Sequence, residues 1–341
     1  MNVRLLATAL VLCASIHGSA LAAPLPPLTV AGCSLPNHDL ATAWQTVLDL
    51  GFSGVEIAVF PEKETGPDRY PWVVVDRLDA AERTRLKALA GKFRHISTHL
   101  PYSPEMRPIA ADPAVRESSR RELRRALDDS AFWGAQIANV HLMSEPGVSF
   151  ADAKADLVGL YRELGEQAAR SGMKIAIETT RPYRVAEYLE LIRAIDRPNV
   201  GGTVDTGHIS FFKLDLSVPA TARNTPEAVR QLNDLLMQIV TALGPKLFHM
   251  HIDEVRAADW REHFVPGHGI VDWPRLLDHL ARIGYRGVLA SEILYYDGAA
   301  DTGLTLTRAF RTRTRDGAPA AGLREIKTFL ENLAARPARV P

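Results

Sequence analysis

Short apolar runs rich in β-branched residues alternate along the chain with stretches whose apolar positions recur at i, i+3 and i+4. The runs are Leu28–Leu35, Gly54–Val59, His95–His99, Ile137–Leu142, Lys174–Glu178, Gly201–Asp205, Leu247–Ile252 and Gly287–Ile293. Their length and composition predict buried strands. The stretches between them predict amphipathic helices over Ala41–Leu50, Ala80–Leu89, Ala114–Phe132, Ala151–Ser171, Arg184–Ile195, Pro226–Leu243 and Trp273–Ile283, with a last helix at Gly322–Ala335. Several strands are announced by a helix-ending glycine, as in Trp133-Gly134-Ala135 and Ser171-Gly172-Met173.

Strand alternating with helix eight times implies a parallel sheet, and eight units close as a barrel. The predicted fold class is therefore α/β, a single (β/α)8 TIM barrel. A doubly wound open sheet ranks second, because no glycine-rich phosphate loop follows the first strand. The spacing of strand ends exceeds that of a minimal barrel. The surplus falls in loops at Phe60–Leu78, Phe211–Thr225, Val255–Ile270 and Tyr295–Pro319. Loops that follow strands lie on the catalytic face of such a barrel.

The first residues break this pattern. Arg4 precedes the apolar run Leu5–Ala14, which is too short to span a bilayer, and Ala20-Leu21-Ala22 is a small-x-small cleavage site. Residues 1–22 read as a secretory signal peptide and residues 23–341 as the barrel domain. Export, to a periplasm, follows as an expectation, with no membrane association after cleavage. The 40 basic and 40 acidic side chains balance, so nothing suggests a nucleic-acid partner. Removal of the leader would leave Cys33 as the remaining cysteine, which excludes an intramolecular disulfide; it reads as a buried strand residue.

Polar residues gather at the predicted strand ends. Strand five ends in Ile177-Glu178-Thr179, strand six in Val204-Asp205-Thr206-Gly207-His208, strand seven in His249-Met250-His251-Ile252-Asp253-Glu254, and strand eight in Ser291-Glu292-Ile293. Three buried carboxylates on neighbouring strands repel one another unless a cation sits among them. Glu178, Asp205, His251 and Glu292 offer three carboxylates and an imidazole. That set suits one hard to borderline divalent ion: Mn2+, Mg2+, Co2+ or Zn2+. A structural ion pair is the competing reading for any one of them.

The series Ile-Glu-Thr, Val-Asp-Thr-Gly-His, His-Ile-Asp-Glu and Ser-Glu-Ile resembles the xylose isomerase-like TIM barrel superfamily over essentially the whole mature chain. That group holds sugar isomerases and epimerases, inosose dehydratases and abasic-site endonucleases. The resemblance implies that Glu178, Asp205, His251 and Glu292 bind the metal. It also implies that Glu178 and Glu292 flank the reacting carbon, and that His208 and Arg256 contact substrate oxygens. Such relatives act on carbohydrates or polyols and often form dimers or tetramers, so a homo-oligomer stays open.

His99 and His141 resemble extra metal ligands of the endonucleases, and equally suit substrate hydroxyls. His249 lies two residues before His251 and so points into the same interior, deeper down. His263 falls where the endonucleases place a further metal histidine, but Arg261 stands where their pattern has an aspartate. The stretch Pro266-Gly267-His268-Gly269 resembles a turn of the sugar enzymes before the last barrel helix, with Asp272 as its N-cap. Glu56 suits a substrate contact or a salt bridge. Trp72, Tyr102 and Trp260 fall in catalytic-face loops, where aromatics stack on sugars or pack the loop. The leading expectation is a metal-dependent isomerase or epimerase that abstracts a proton beside a carbonyl, with elimination on a keto-sugar or keto-glycoside as a close variant. A phosphodiesterase of the endonuclease type and a non-catalytic sugar-binding barrel are the alternatives.

Overall fold

Eight parallel strands close on themselves in chain order. They are β1 (Leu28–Ala31), β2 (Gly54–Ala58), β3 (His95–His99), β4 (Ile137–His141), β5 (Lys174–Glu178), β6 (Val200–Asp205), β7 (Leu247–Ile252) and β8 (Val288–Ser291), with β8 pairing back onto β1. The computed structural model describes residues 24–34, 39–59, 73–180, 182–212, 215–217, 225–294 and 318–336. The leader read from residues 1–22, Trp72, and most of the predicted loops at Phe60–Leu78, Phe211–Thr225 and Tyr295–Pro319 lie outside the described residues.

Helices α1 (Leu40–Asp49), α2 (Ala80–Ala90), α3 (Pro113–Trp133), α4 (Phe150–Ala169), α5 (Val185–Ile195), α6 (Pro226–Leu243), α7 (Trp273–Arg282) and α8 (Ala318–Ala334) surround the barrel. Their starts are chemically marked. Asp112 caps α3 by accepting from Ala114 N at 2.8 Å, with Pro113 in the first turn, and Asp272 caps α7 by accepting from Arg275 N at 3.2 Å. Gly134 ends α3 at φ 81°, a left-handed conformation that a β-carbon disfavours. The apolar helix faces bury Leu157, Leu160, Leu191, Ile239 and Leu276 almost completely. Trp44 and Trp133 meet edge-to-face at 5.5 Å between α1 and α3. Among the described residues no helix is long and apolar enough to cross a membrane.

Two strands stop two or more residues short of the expected end. β1 stops at Ala31, where Gly32–Ser34 tightens into a 3-10 turn, so Cys33 is not a strand residue. It is half-buried and lines the central cavity. β8 stops at Ser291, one residue before Glu292. Ser34 Oγ reaches across to Ser291 O and receives Ile293 N, both at 2.8 Å, so the end of β1 fixes the backbone on either side of Glu292.

The barrel interior departs from the aliphatic filling usual for this fold. Period-two alternation sends Phe248, Met250 and Ile252 of β7 toward the helices, and His249 and His251 toward the axis. Glu56, Ser97, Asn139 and Thr203 join His249 in a deep polar layer, all of them buried. Ser97 Oγ donates to Glu56 Oε2 at 3.1 Å, Asn139 donates to the same oxygen, and Thr203 Oγ1 donates to Asn139 Oδ1 at 2.5 Å. One step nearer the carboxyl end, Glu178, Asp205 and His251 lie wholly buried beneath an open cavity that His99 and His141 line.

Candidate metal centre

Asp205 ends β6 in a turn that aims its carboxylate. Oδ1 accepts from Gly207 N at 2.7 Å and His208 N at 2.8 Å, which leaves Oδ2 pointing inward without a hydrogen bond. Glu178 Oε1, His251 Nδ1 and Glu292 Oε2 also lack a hydrogen-bond partner, although the residues carrying them are wholly or largely buried. Nδ1 of His251 lies 3.4 Å from Glu178 Oε1, 3.7 Å from Asp205 Oδ2 and 2.8 Å from Glu292 Oε2. All four donor atoms fall within 4.8 Å of one another.

That arrangement needs a counter-charge. At 4.8 Å two unit charges repel by about 3 kcal/mol at an effective dielectric of ~20. Three carboxylates form three such pairs, comparable in sum to the whole stability of a domain, about 5–15 kcal/mol. Four unsatisfied, converging donors of the O, O, O, N type suit a divalent cation. Without one, protons take its place. Burial and the nearby Asp253 push the Asp205 carboxyl well above the usual range. His251 rises despite its burial because Glu292, Glu56 and Glu178 surround it.

Glu56 holds the back of His251, accepting from Nε2 at 2.9 Å. Burial alone would raise its carboxyl, but His251 and His249 hold it down at about 2. Glu56 therefore stands as an anion behind the imidazole while also reaching the cavity. Of the two readings open from sequence, the ion pair is present. His249 sits deeper, 3.6 Å from Glu56, and burial lowers it to about 3.

Three other histidines crowd Glu178. His99 donates Nδ1–H to Leu100 O at 2.9 Å and places Nε2 3.2 Å from Glu178 Oε2. His141 Nε2 lies 3.5 Å from the same oxygen, and burial lowers it to about 3. His208 approaches Glu178 Oε1 at 2.9 Å, yet its Nδ1–H is aligned on Thr179 O at 3.1 Å. His99, His141 and Glu178 thus make a second group of donors on the same floor.

Arg256 does not join this site. Its guanidinium turns to Asp259, with Nε 2.9 Å from Oδ1, and lies over the Phe264 ring. It is not among the residues lining the cavity. The turn after β7 folds back on itself through the Glu254–Phe264 bridge and carries Arg256 away from the floor. Trp260 is buried and packs the loop rather than facing the cavity.

The same turn brings in groups for which the sequence reading left the role open. Asp253 Oδ2 accepts from His263 N at 2.7 Å and lies 2.7 Å from His263 Nδ1, whose hydrogen bond goes to Glu292 O at 3.2 Å; Thr206 Oγ1 lies 3.1 Å from Asp253 Oδ1. His263 adopts φ 68° and lines the cavity. Glu254 clamps the loop: Val255 N, Val271 N, Gly267 N and Trp273 Nε1 all donate to its carboxylate at 2.8–3.0 Å. Cys33 Sγ lies 3.7 Å from Glu292 Oε1, and burial, then Glu292 and Glu56, push its thiol well up. Asp253 stands in the polar end of strand seven and in the His-Ile-Asp-Glu series, but neither gave it a role.

Comparisons agree with this architecture. Residues 44–333 match the family described as xylose isomerase-like TIM barrel. The ketose 3-epimerase of Arthrobacter globiformis is 25% identical over 253 residues, covering 70% of this chain and 77% of the relative. An uncharacterized protein of Methanocaldococcus jannaschii is 25% identical over 207 residues, 58% of this chain, and the chain spans 64% of its length. The solved D-psicose 3-epimerase of Clostridium cellulolyticum H10, crystallised with D-tagatose, superposes with a TM-score of 0.66 at 16% identity, covering 91% of this chain and all of that one. At that identity the superposition speaks for the fold.

Proposed function

The chain belongs to the xylose isomerase-like TIM barrel family, and on that premise we propose that it is a metal-dependent isomerase or epimerase acting on a carbohydrate. The observation carrying this reading is the set of four unsatisfied donor atoms of Glu178, Asp205, His251 and Glu292, converging within 4.8 Å of one another beneath the cavity that Glu292 lines. These residues would hold one divalent ion, Mn2+, Mg2+, Co2+ or Zn2+. Such an ion supplies electrophilic polarisation of adjacent substrate oxygens.

The protein's own groups supply the rest. Glu178 at the end of β5 and Glu292 just after β8 approach the same imidazole nitrogen, and the two proton transfers are assigned to these carboxylates. One carboxylate accepts the proton beside the carbonyl and the other returns one. Glu292 reaches the cavity directly, whereas Glu178 lies beneath the imidazoles. His99, His141 and His208 line the wall around them and offer N–H donors or acceptors to substrate hydroxyls. The relative named a ketose 3-epimerase supports an α-hydroxy ketone as the reacting unit. We further propose, from residues 1–22, that the enzyme is exported; amino-terminal sequencing of the mature protein checks this.

The test is solvent exchange. The metal-supplemented protein is incubated in heavy water with a panel of ketoses, polyols and keto-sugars. Deuterium is expected at one carbon adjacent to a carbonyl, and Glu178→Gln or Glu292→Gln is expected to abolish its incorporation. Exchange that survives in either variant would overturn the assigned proton transfer. Elimination products would place the enzyme on the lyase branch of the same chemistry.

A further inference from the structure

We infer that the sugar acted on carries an apolar, ring-bearing aglycone, and that one wall of the cavity is its subsite. This rests on the proposed carbohydrate reading and names the substrate class within it.

The cavity above the metal-ligand cluster has a volume of about 720 Å3. At ~30 Å3 per water this equals roughly two dozen waters. A hexose, with a dozen non-hydrogen atoms, fills at most half. The volume sits well inside the range of about 300–1,000 Å3 typical of pockets for larger organic ligands.

The chemistry of the spare half is not that of a second sugar site. Tyr102, Met106, Leu142, Met143 and Pro146 line it on the loops after β3 and β4, with Phe211 on the opposite side after β6. Tyr102 stacks on His141 at 4.0 Å and 22°, and Phe211 on His208 at 4.7 Å and 24°. Each aromatic face therefore continues outward from an imidazole of the cluster. Tyr102 is 45% exposed and is one of two exposed large hydrophobic side chains among the described residues. The charged pair on the same wall is satisfied within itself: Arg107 binds Glu145 through Nε at 3.1 Å to both oxygens, and again through Nη2. That pair ties the two loops together; beside Ser103 and Ser144, the wall presents mainly aromatic, thioether and proline surfaces. Methionine and tyrosine accommodate flat apolar groups through dispersion and edge or face contacts.

The sugar ring is thus held at the polar floor, and its glycosidic substituent lies against Tyr102 and the two methionines. An aryl glycoside of a keto-sugar matches both halves. A free ketose leaves the apolar half wet.

Binding of glycosides that lack the keto group reads the subsite without turnover. Phenyl and methyl glucosides of the same anomeric configuration are titrated into the metal-supplemented protein by calorimetry. The phenyl glucoside is expected to bind about tenfold tighter or more. Tyr102→Ala and Met143→Ala are each expected to shrink that ratio, in proteins whose melting temperatures show an intact fold. Equal affinities in the wild type, or variants that weaken both glucosides alike, would overturn the inference. Deuterium exchange on a 3-keto-glucoside is scored separately. A phenyl preference without exchange supports the subsite and counts against the proposed reaction; exchange without a phenyl preference does the reverse.

Discussion

His251 Nε2 and Glu56 Oε1 lie 2.9 Å apart, a buried contact between β7 and β2 that fixes which face of the imidazole looks at the carboxylates. With its Nε2 proton committed to Glu56, the ring would, on losing its Nδ1 proton to a cation, present a lone pair where Glu178, Asp205 and Glu292 converge. Ser97 and Asn139 hold Glu56 in turn, so the imidazole is oriented from the layer beneath it.

Replacing Glu56 tests that orientation. Glu56→Gln keeps the volume but removes the anion behind the ring. Divalent-metal affinity is expected to fall by about 10–100-fold, the range for loss of a carboxylate behind a histidine ligand. Chelator competition measures it. Affinity unchanged from wild type would show that Glu56 does not set the ring.

Chelated protein is expected to lose stability as pH rises. His208 has its pKa raised to about 9 from 6.5, because Asp205 and Glu178 outweigh its burial. A histidine raised in this way stabilises the fold fully below 6.5 and loses that contribution as pH passes through about 9. Asp205 acts in the same direction, since its raised carboxyl makes deprotonation in the fold unfavourable. The melting temperature in chelator should therefore drop between pH 6.5 and 9, and saturating metal should flatten the drop. A pH-independent melting temperature in chelator would refute the proton-for-metal picture.

Glu254 is expected to matter for the loop rather than the chemistry. Its carboxylate satisfies three backbone N–H groups and the Trp273 indole, and it anchors the segment that delivers His263 to the cavity. Glu254→Ala leaves those donors buried and unpaired, at about 1–3 kcal/mol each before relaxation. Denaturant unfolding should show a loss of roughly 3 kcal/mol or more. A loss below about 1 kcal/mol would mean that water replaces the clamp.

The barrel was legible because each strand is a short apolar run and most helices carry a cap residue or a terminal glycine, signals that are local. Glu178, Asp205, His251 and Glu292 were legible because a carboxylate or imidazole ending an apolar strand contradicts its own surroundings. Other features depend on contacts that no local pattern encodes. Asn139 reads as an ordinary strand residue until the barrel places it between Glu56 and Thr203. Cys33 reads as strand interior, whereas the Gly32–Ser34 turn brings its sulfur against Glu292. Arg256, five positions after His251, resembled a substrate contact; the fold-back of the loop at Phe264 pairs it with Asp259 instead.

Metal analysis of the purified protein bears most directly on the convergence of these four side chains. Wild type, Asp205→Asn and Glu292→Gln are dialysed with Mn2+ or Zn2+, and bound metal is counted per chain by atomic emission. The wild type should retain at least one equivalent, and each variant should lose an equivalent while keeping the far-ultraviolet dichroism of the folded barrel. A wild-type protein that binds no divalent ion, or variants that bind as much as it does, would contradict the account.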